Sequence, residues 1–167
     1  MIGDRARFGV LVGPAEVEHA QLRSVKIYLG GEDLTFRDDQ VYVPNFLLRV
    51  GLTLRALDNW PDLAPHAAVL GTDPRALHER LIVGSEHDPV LASWDGRLSF
   101  LEWGEISFPF HSFLFRFGDR MWLTARHLEG ELQVAEVDPA ELRDIVERAH
   151  RVVADDYADY RKRGGLD

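Results

Sequence analysis

The last quarter of the chain has apolar residues spaced with the period of an α-helix. Asp138 is suited to cap a first turn, Pro139 to occupy the first helical position, and Glu141 stands at capping-box spacing. Arg161-Lys162-Arg163 places positive charge at the end, and Gly164-Gly165 stops the run. The pattern predicts one long helix with a single buried face. Its apolar stripe consists of Leu142, Ile145, Val146, Ala149, Val152, Val153, Tyr157 and Tyr160.

The residues from Phe110 to Val137 predict a β-meander that leads into this helix. Gly118-Asp119 suits a two-residue hairpin loop, because glycine tolerates the positive φ of its first position, and Phe117 should then pair with Arg120. Both faces of the hairpin are largely apolar, so we expect other parts of the chain, rather than a partner, to cover both. In this register one face carries Phe113, Phe115, Phe117, Trp122 and Thr124, and the other carries Leu114, Met121, Leu123 and Ala125.

The first half of the chain predicts strands followed by a helix. Arg5 to Val12 and Gln21 to Leu29 alternate as strands, and Gly30-Gly31 suits a tight turn into Glu32 to Phe36. Apolar residues at helical spacing then predict a helix from Pro44 to Leu57. Gly51 lies inside it, where a close packing contact would offset its low helix propensity.

The middle of the chain predicts one short helix and a second β region. Thr72-Asp73-Pro74 repeats the capping pattern and predicts a helix whose Leu77 and Leu81 face inward. Asp95-Gly96 is a strong type I′ signal and predicts a hairpin, with strands at 90–92 and 98–101 in which Trp94 would neighbour Arg97.

The length of 167 residues and the 46% hydrophobic content fit one globular domain, residues 1–167. The predicted fold class is α+β: a mostly antiparallel sheet of six to eight strands with two or three helices packed on it, the C-terminal helix being the longest.

Charge and composition narrow the range of functions. The formal net charge of −9 argues against direct binding of nucleic acid, which relies on a basic face, and would suit a basic protein partner. The chain contains no cysteine, so disulfides, thiolate metal sites and a cysteine nucleophile are excluded. No apolar run is long enough for a membrane span and the N-terminus lacks the pattern of a signal peptide, so a soluble cytoplasmic protein without membrane contact is expected.

Candidate catalytic or metal-binding residues lack the spacing that their chemistry requires. Neither phosphate-binding glycine motif is present, nor is the G-x-S-x-G of a nucleophile elbow. Asp38-Asp39 has no further ligand at metal-binding spacing, and His78-Glu79 has no second histidine four residues on. His87 lies in a polar loop. We therefore expect no catalytic residue, cofactor or metal.

Strand geometry decides whether two further pairs of titratable residues could act together. Glu102 and Glu105 flank Trp103 and could form an acid/base pair only if Gly104 bulged the strand, because residues three apart in a strand point to opposite faces. His111 and His127 also fall on opposite faces of the predicted meander, so they cannot share a metal or a proton.

The chain opens Met1-Ile2-Gly3-Asp4, and Phe8 follows in a short strand. Together with the Gly30-Gly31 hairpin and the later Phe/Trp-rich hairpin, this opening resembles the immunity proteins of bacterial polymorphic toxin systems. Within them it is similar to a family of small α+β proteins whose members often begin Met-Ile-x-Gly-Asp. Arg5 stands where those members commonly have proline.

This resemblance implies a non-enzymatic antitoxin that binds one cognate toxin domain and blocks it. An acidic protein can bind a basic toxin, with charge complementarity raising the association rate. Two other functions remain open: a small-molecule-binding or regulatory domain with a pocket lined by Trp94, Trp103 and Trp122, and a hydrolase or transferase using scattered carboxylates and histidines. The acidic residues predicted to contact the partner are Glu129, Glu131, Asp155, Asp156 and Asp159.

Overall fold

The computed structural model describes residues 1–15, 21–35, 38–84, 88–128 and 130–163. These residues form strands and helices that confirm the predicted α+β class. The strands are β1 (Ile2–Gly3), β2 (Phe8–Val12), β3 (Leu22–Leu29), β4 (Glu32–Asp33), β5 (Gln40–Tyr42), β6 (Phe110–Phe117), β7 (Arg120–His127) and β8 (Gln133–Val137). The α-helices are α1 (Val43–Leu57), α2 (Ala67–Leu70), α3 (Pro74–Gly84), α4 (Pro89–Leu98) and α5 (Pro139–Lys162).

The strands form two antiparallel sheets, where the sequence predicted one. The first sheet has the order β1-β2-β3, and β3 is long enough to pair with β5 along its first half and with β4 at its end. The second sheet is the meander β6-β7-β8. The predicted hairpin register is confirmed, since Phe117 pairs with Arg120 and Gly118 has a φ of 65°.

Both faces of the meander are covered by the chain itself, as predicted. Leu114, Met121 and Leu123 belong to the main core, which they share with the first sheet, α1 and α5. Phe113 and Phe115 belong to a second core with α3 and α4. The second sheet is therefore the middle layer between two hydrophobic cores, which explains its two apolar faces.

The edge strand β6 is shielded by two chain segments. Leu63 N–H donates to the carbonyl of Arg116 at 2.7 Å, and Phe100 N–H donates to the carbonyl of Ser112 at 3.1 Å. Asp62 fixes the first segment, because its carboxylate accepts the N–H groups of Gly118 and Ala64, and these bonds lower the pKa of Asp62. Such cover removes much of the template for unwanted strand pairing.

The long helix α5 begins as its sequence predicts. Asp138 Oδ1 accepts the N–H groups of Ala140 and Glu141, each at 2.9 Å. Glu141 does not complete a capping box, since its carboxylate accepts no bond from the Asp138 N–H; its Oε1 accepts Arg7 Nη2 at 2.7 Å. This bond ties the start of the helix to the β1–β2 turn. The predicted stop at Gly164-Gly165 lies outside the described residues.

The predicted hairpin around Asp95-Gly96 is wrong, because residues 89–98 form helix α4. Asp88 caps this helix by accepting the N–H of Val90 at 2.8 Å, and Pro89 occupies the first turn. Leu91, Trp94 and Leu98 are buried at helical spacing. Burial of this face on the meander outweighed the turn preference of Asp-Gly, which is a local signal.

Three smaller predictions also differ from the structure. A Cβ added to Gly51 would meet only His150 Nε2, at 3.9 Å, so no close packing contact explains this glycine. Residues 102–105 are not a strand: Trp103 is buried in the main core, and Glu105 begins a 3₁₀ turn. The strand after Gly30-Gly31 ends at Asp33, and Phe36 lies outside the described residues.

The N-terminal residues that carry the family resemblance have structural roles. Gly3 has a φ of 83°, and an added Cβ would lie 2.6 Å from both the Phe8 carbonyl oxygen and Ile145 Cδ1. Asp4 closes the following turn, since its Oδ1 accepts the N–H of Ala6 at 2.9 Å. The motif therefore builds the β1–β2 turn and lets it pack closely against α5.

Candidate functional site

A hollow of about 430 Å³ opens beside the first half of α1. Its other walls are the C-terminal end of α4, the irregular segment Ser99–Phe108 and the start of β6. The hollow is an open depression and not an enclosed cavity. Its volume falls within the usual range of ligand sites.

The segment Ser99–Phe108 is held between β6 and α1. Leu101 N–H donates to Ser112 Oγ at 2.9 Å on the β6 side. Trp103 Nε1 donates to Thr53 Oγ1 at 3.1 Å on the α1 side. Trp103 is fully buried, so these contacts fix the distance between the two walls of the hollow. A site on such a supported segment is pre-formed.

The floor of the hollow is apolar and part of its rim is an exposed aromatic ring. Leu101, Phe110 and Phe113 line it and are buried. Phe108 also lines it but is 78% exposed, the largest exposure among the described large hydrophobic residues. An aromatic side chain this exposed contributes nothing to the cores and is available for contact with another molecule.

The exposed side of α1 also carries apolar side chains. Leu48 and Leu52 are exposed one turn apart. Leu52 lines a second, smaller hollow of about 140 Å³, which shares Arg49, Ser99 and Glu102 with the first. The two hollows together form a groove along α1, which we call the α1 groove.

The charged groups of the α1 groove are two carboxylates and one guanidinium. Asp95 and Glu102 line it, as does Arg49. None of the three makes a side-chain hydrogen bond or ion pair with another residue in the described part of the chain. Many other acidic side chains have such partners, among them Asp58, Glu79, Glu136, Glu141, Asp144 and Glu147.

Three serines and one histidine also line the hollow but are not arranged for nucleophilic chemistry. Ser99 Oγ donates to the Asp95 carbonyl at 3.2 Å, and Ser107 Oγ donates to the Gly104 carbonyl at 2.6 Å. Ser112 Oγ accepts the N–H of Leu101. A serine nucleophile needs a base within hydrogen-bond reach, and no hydrogen bond joins His111 to a serine in the described ranges.

The acidic residues predicted to contact a partner do not form one surface. Asp156 accepts Arg23 Nη2 at 2.7 Å at the start of β3. Glu131 lies beside Glu32, which pairs with the end of β3. From the rise per residue of a β-strand, Arg23 near the start of β3 and the end of that strand are about 20 Å apart. Asp156 and Glu131 therefore lie towards opposite ends of β3. Glu129 lies outside the described residues.

Most of the acidic groups on α5 are already paired with cations. Asp144 pairs with Arg148, Glu147 with Arg151 and Asp159 with Lys162. Asp155 is exposed and has no ion pair to another described residue. The predicted acidic face of the helix is therefore largely neutralised, and Asp155 is its one candidate with a free carboxylate.

The three tryptophans proposed to line one pocket lie in three environments. Trp103 is in the main core and Trp94 in the second core. Trp122 packs edge-on against Phe117, and the guanidinium of Arg120 lies 4.3 Å from the centre of its ring. The aromatic-lined pocket is not formed by these residues.

The described histidines and the aspartate pair do not form a metal site. The register confirms that His111 and His127 project from opposite faces, and His87 lies outside the described residues. Asp39 accepts Ser24 Oγ at 2.8 Å, which ties the residue before β5 to β3. Among the residues with described positions, no group of three or more potential ligands could hold a metal ion.

None of the helices in the described ranges combines the length and the apolar composition that a membrane span requires.

His78 is a core histidine. Its side chain is fully buried, its Nδ1 lies 2.8 Å from Thr124 Oγ1, and its ring meets the ring of Phe113 edge-on. Burial, together with the charge of Arg126, lowers the pKa of His78 to about 4. It is therefore neutral at physiological pH and acts in packing.

The groove draws on residues that sequence patterns alone did not bring together. Arg49, Asp95 and Phe108 carry no motif, and the sequence predicts a hairpin turn at Asp95. Comparison of the chain with protein-family models, with curated proteins and with solved structures found no match in any of the three. The class that the structure defines is an α+β protein with two antiparallel sheets and an open mixed-polarity groove.

Proposed function

We propose that this chain is a non-enzymatic immunity protein that binds a cognate toxin domain and blocks it. The observation that carries this proposal is the α1 groove, where exposed Phe108 lines the larger hollow and exposed Leu52 lines the smaller one, beside polar groups. Protein interfaces place a few large apolar anchors beside polar groups, and such anchors carry most of the binding energy. The N-terminal resemblance to immunity proteins points to the same role.

The charge of the protein supports a basic partner. The formal net charge is −9, and two of the carboxylates without a described partner, Asp95 and Glu102, line the groove. A negative field accelerates encounter with a positive protein, and this effect weakens with salt. Binding that covers a toxin's active surface requires no catalytic group on the inhibitor.

The test begins with the gene immediately upstream, which we expect to encode a large secreted protein with a toxin domain at its C-terminus, and pairs that domain with this chain. We expect co-expression to restore growth that the domain alone arrests, and the purified pair to form a stable complex. Absence of both rescue and binding would overturn the proposal.

A matched pair of variants locates the surface. Phe108→Ala should weaken the complex at least tenfold, because a buried aromatic anchor contributes roughly 1.4 kcal/mol or more. Val83→Ala removes a similarly exposed apolar side chain, at 73%, from α3 and should leave affinity unchanged. Equal affinities for the two variants would move the interface away from the groove.

A second candidate is binding of a small molecule in the same hollow. The observation in its favour is the volume of about 430 Å³ with polar groups over an apolar floor. A small molecule without an arginine or lysine side chain that raises the melting temperature of the wild type but not of Glu102→Gln, in the absence of any protein partner, would favour this function. The hydrolase alternative has no serine–histidine pair to support it within the described residues.

A further inference from the structure

We infer that the α1 groove accepts one long cationic side chain, an arginine or lysine, presented by the protein partner. This inference rests on the proposed function and names the chemistry that its binding site recognises. It places the specific contact on Asp95, Glu102 and Phe108, and not on the acidic residues of α5.

The hollow suits the stem of such a side chain. Leu101, Phe110 and Phe113 form an apolar floor, and arginine and lysine bury their methylene stems along apolar surface while their charged heads reach polar groups. The volume of about 430 Å³ leaves room for bridging waters around the head.

The charges suit the head of the side chain. Asp95 is half-buried on the last turn of α4, and Glu102 is exposed on the segment Ser99–Phe108 that follows it, so the two carboxylates line the hollow from different elements. Neither has a partner among the described residues, in contrast to Glu79, which binds Arg126 at 2.7 Å. One cation from outside would give both a charge-assisted partner.

Two neighbouring groups set the selectivity. Phe108 stands at the rim with its ring exposed, where a guanidinium can lie over its face. Arg49 lines both hollows, so with the two carboxylates it leaves the groove one net negative charge, which a single cation would neutralise. The groove therefore favours a single cationic residue flanked by apolar ones over a run of basic residues.

The probe is N-acetyl-arginine methylamide, titrated into the full chain and followed by amide chemical shifts. We expect saturable shifts at Asn45, Gly104 and Ser107 with a millimolar dissociation constant. The neutral isostere N-acetyl-citrulline methylamide should bind at least fivefold more weakly, because only the charge differs. Equal binding of the two probes, or shifts that map to α5, would overturn the inference.

Variants in the α1 groove and on α5 test which carboxylates bind the cation. Glu102→Gln and Asp95→Asn should each weaken the arginine probe at least threefold, whereas Asp155→Asn should leave it unchanged. Unfolding curves for each variant show whether the fold is intact, since Glu102 is exposed and its substitution removes no contact. Unchanged affinity in a folded Glu102→Gln protein would contradict the inference.

The same variants separate this inference from the proposed function. If the upstream domain binds the wild type and the Asp95→Asn/Glu102→Gln double variant equally well, the cation site is wrong and the immunity role stands. If the arginine probe binds the groove but the upstream domain does not bind at all, the immunity role falls. If the molecular mass of the wild type doubles as its concentration is raised, while that of Phe108→Ala does not, the groove binds a second copy of the chain. That result would overturn the inference.

Discussion

The carboxylate of Asp156 accepts Arg23 Nη2 at 2.7 Å and holds the start of β3 against the last third of α5. The side chain of Arg23 is only 7% exposed, while that of Asp156 is 45% exposed. The guanidinium is therefore the buried member of the pair, and Asp156 is its described counter-ion. A residue that the sequence suggested for partner binding thus contributes to the stability of the fold.

This pair leads to a prediction on stability. Asp156→Asn should lower the free energy of unfolding by about 2 kcal/mol, because it leaves a buried guanidinium without its counter-charge. Asp155→Asn, one residue away and exposed, should change it by less than about 0.5 kcal/mol. Urea denaturation of both variants measures the difference, and similar values would mean that the ion pair does not stabilise the protein.

The buried histidine predicts a dependence of stability on pH. His78 has an ordinary pKa of 6.5 in the unfolded chain and a pKa of about 4 in the fold, so the unfolded state binds more protons between these values. Its contribution is complete above pH 6.5 and is lost as the pH falls towards 4. We expect the free energy of unfolding to be about 2 kcal/mol lower at pH 5 than at pH 7.5 on account of this group.

Urea midpoints at the two pH values check this prediction in the wild type and in His78→Gln. The variant should lose most of the pH dependence, because glutamine does not titrate. His111→Gln serves as the control, since His111 is exposed, and should keep it. An unchanged slope in His78→Gln would assign the pH dependence to other groups.

A helix and a hairpin at residues 89–98 predict opposite effects of replacing Gly96 on stability. Gly96→Ala should stabilise the protein by about 0.5 to 1 kcal/mol, because alanine is the better helix former and nothing lies within 4 Å of the added Cβ. In a type I′ turn the same change would be destabilising. Thermal melting distinguishes them, and Ala92→Gly on the exposed side of α4 should give the reverse shift.

The N-terminal motif contains one position, Gly3, where a substitution should strongly destabilise the fold. Gly3→Ala should destabilise the protein by at least about 2 kcal/mol, because it combines a positive φ with a close approach of backbone. Gly31 has a φ of 94° but open space around it, so Gly31→Ala should cost less. Chemical denaturation of the two variants isolates the contribution of the close contact. Equal losses of stability in both would exclude such a contribution.

Local patterns predicted much of the fold. Asp138-Pro139 marked the start of α5 because a cap and its helix are neighbours in sequence, and Gly118-Asp119 set the register of β6 and β7 because a two-residue turn leaves one pairing. The apolar faces of the meander also predicted that both sides are covered, since exposed apolar surface of that size is unfavourable.

Tertiary structure decided what local patterns left open. Asp95-Gly96 favours a turn by itself, but burial of Leu91, Trp94 and Leu98 between α3 and β6 made the segment a helix. The α1 groove has no sequence signature either: Arg49, Asp95 and Phe108 meet only because the Ser99–Phe108 segment is bonded to both α1 and β6. The sequence by itself determined caps, turns and apolar faces, which depend on near neighbours. Only the packing of distant elements decided which polar side chains share a surface.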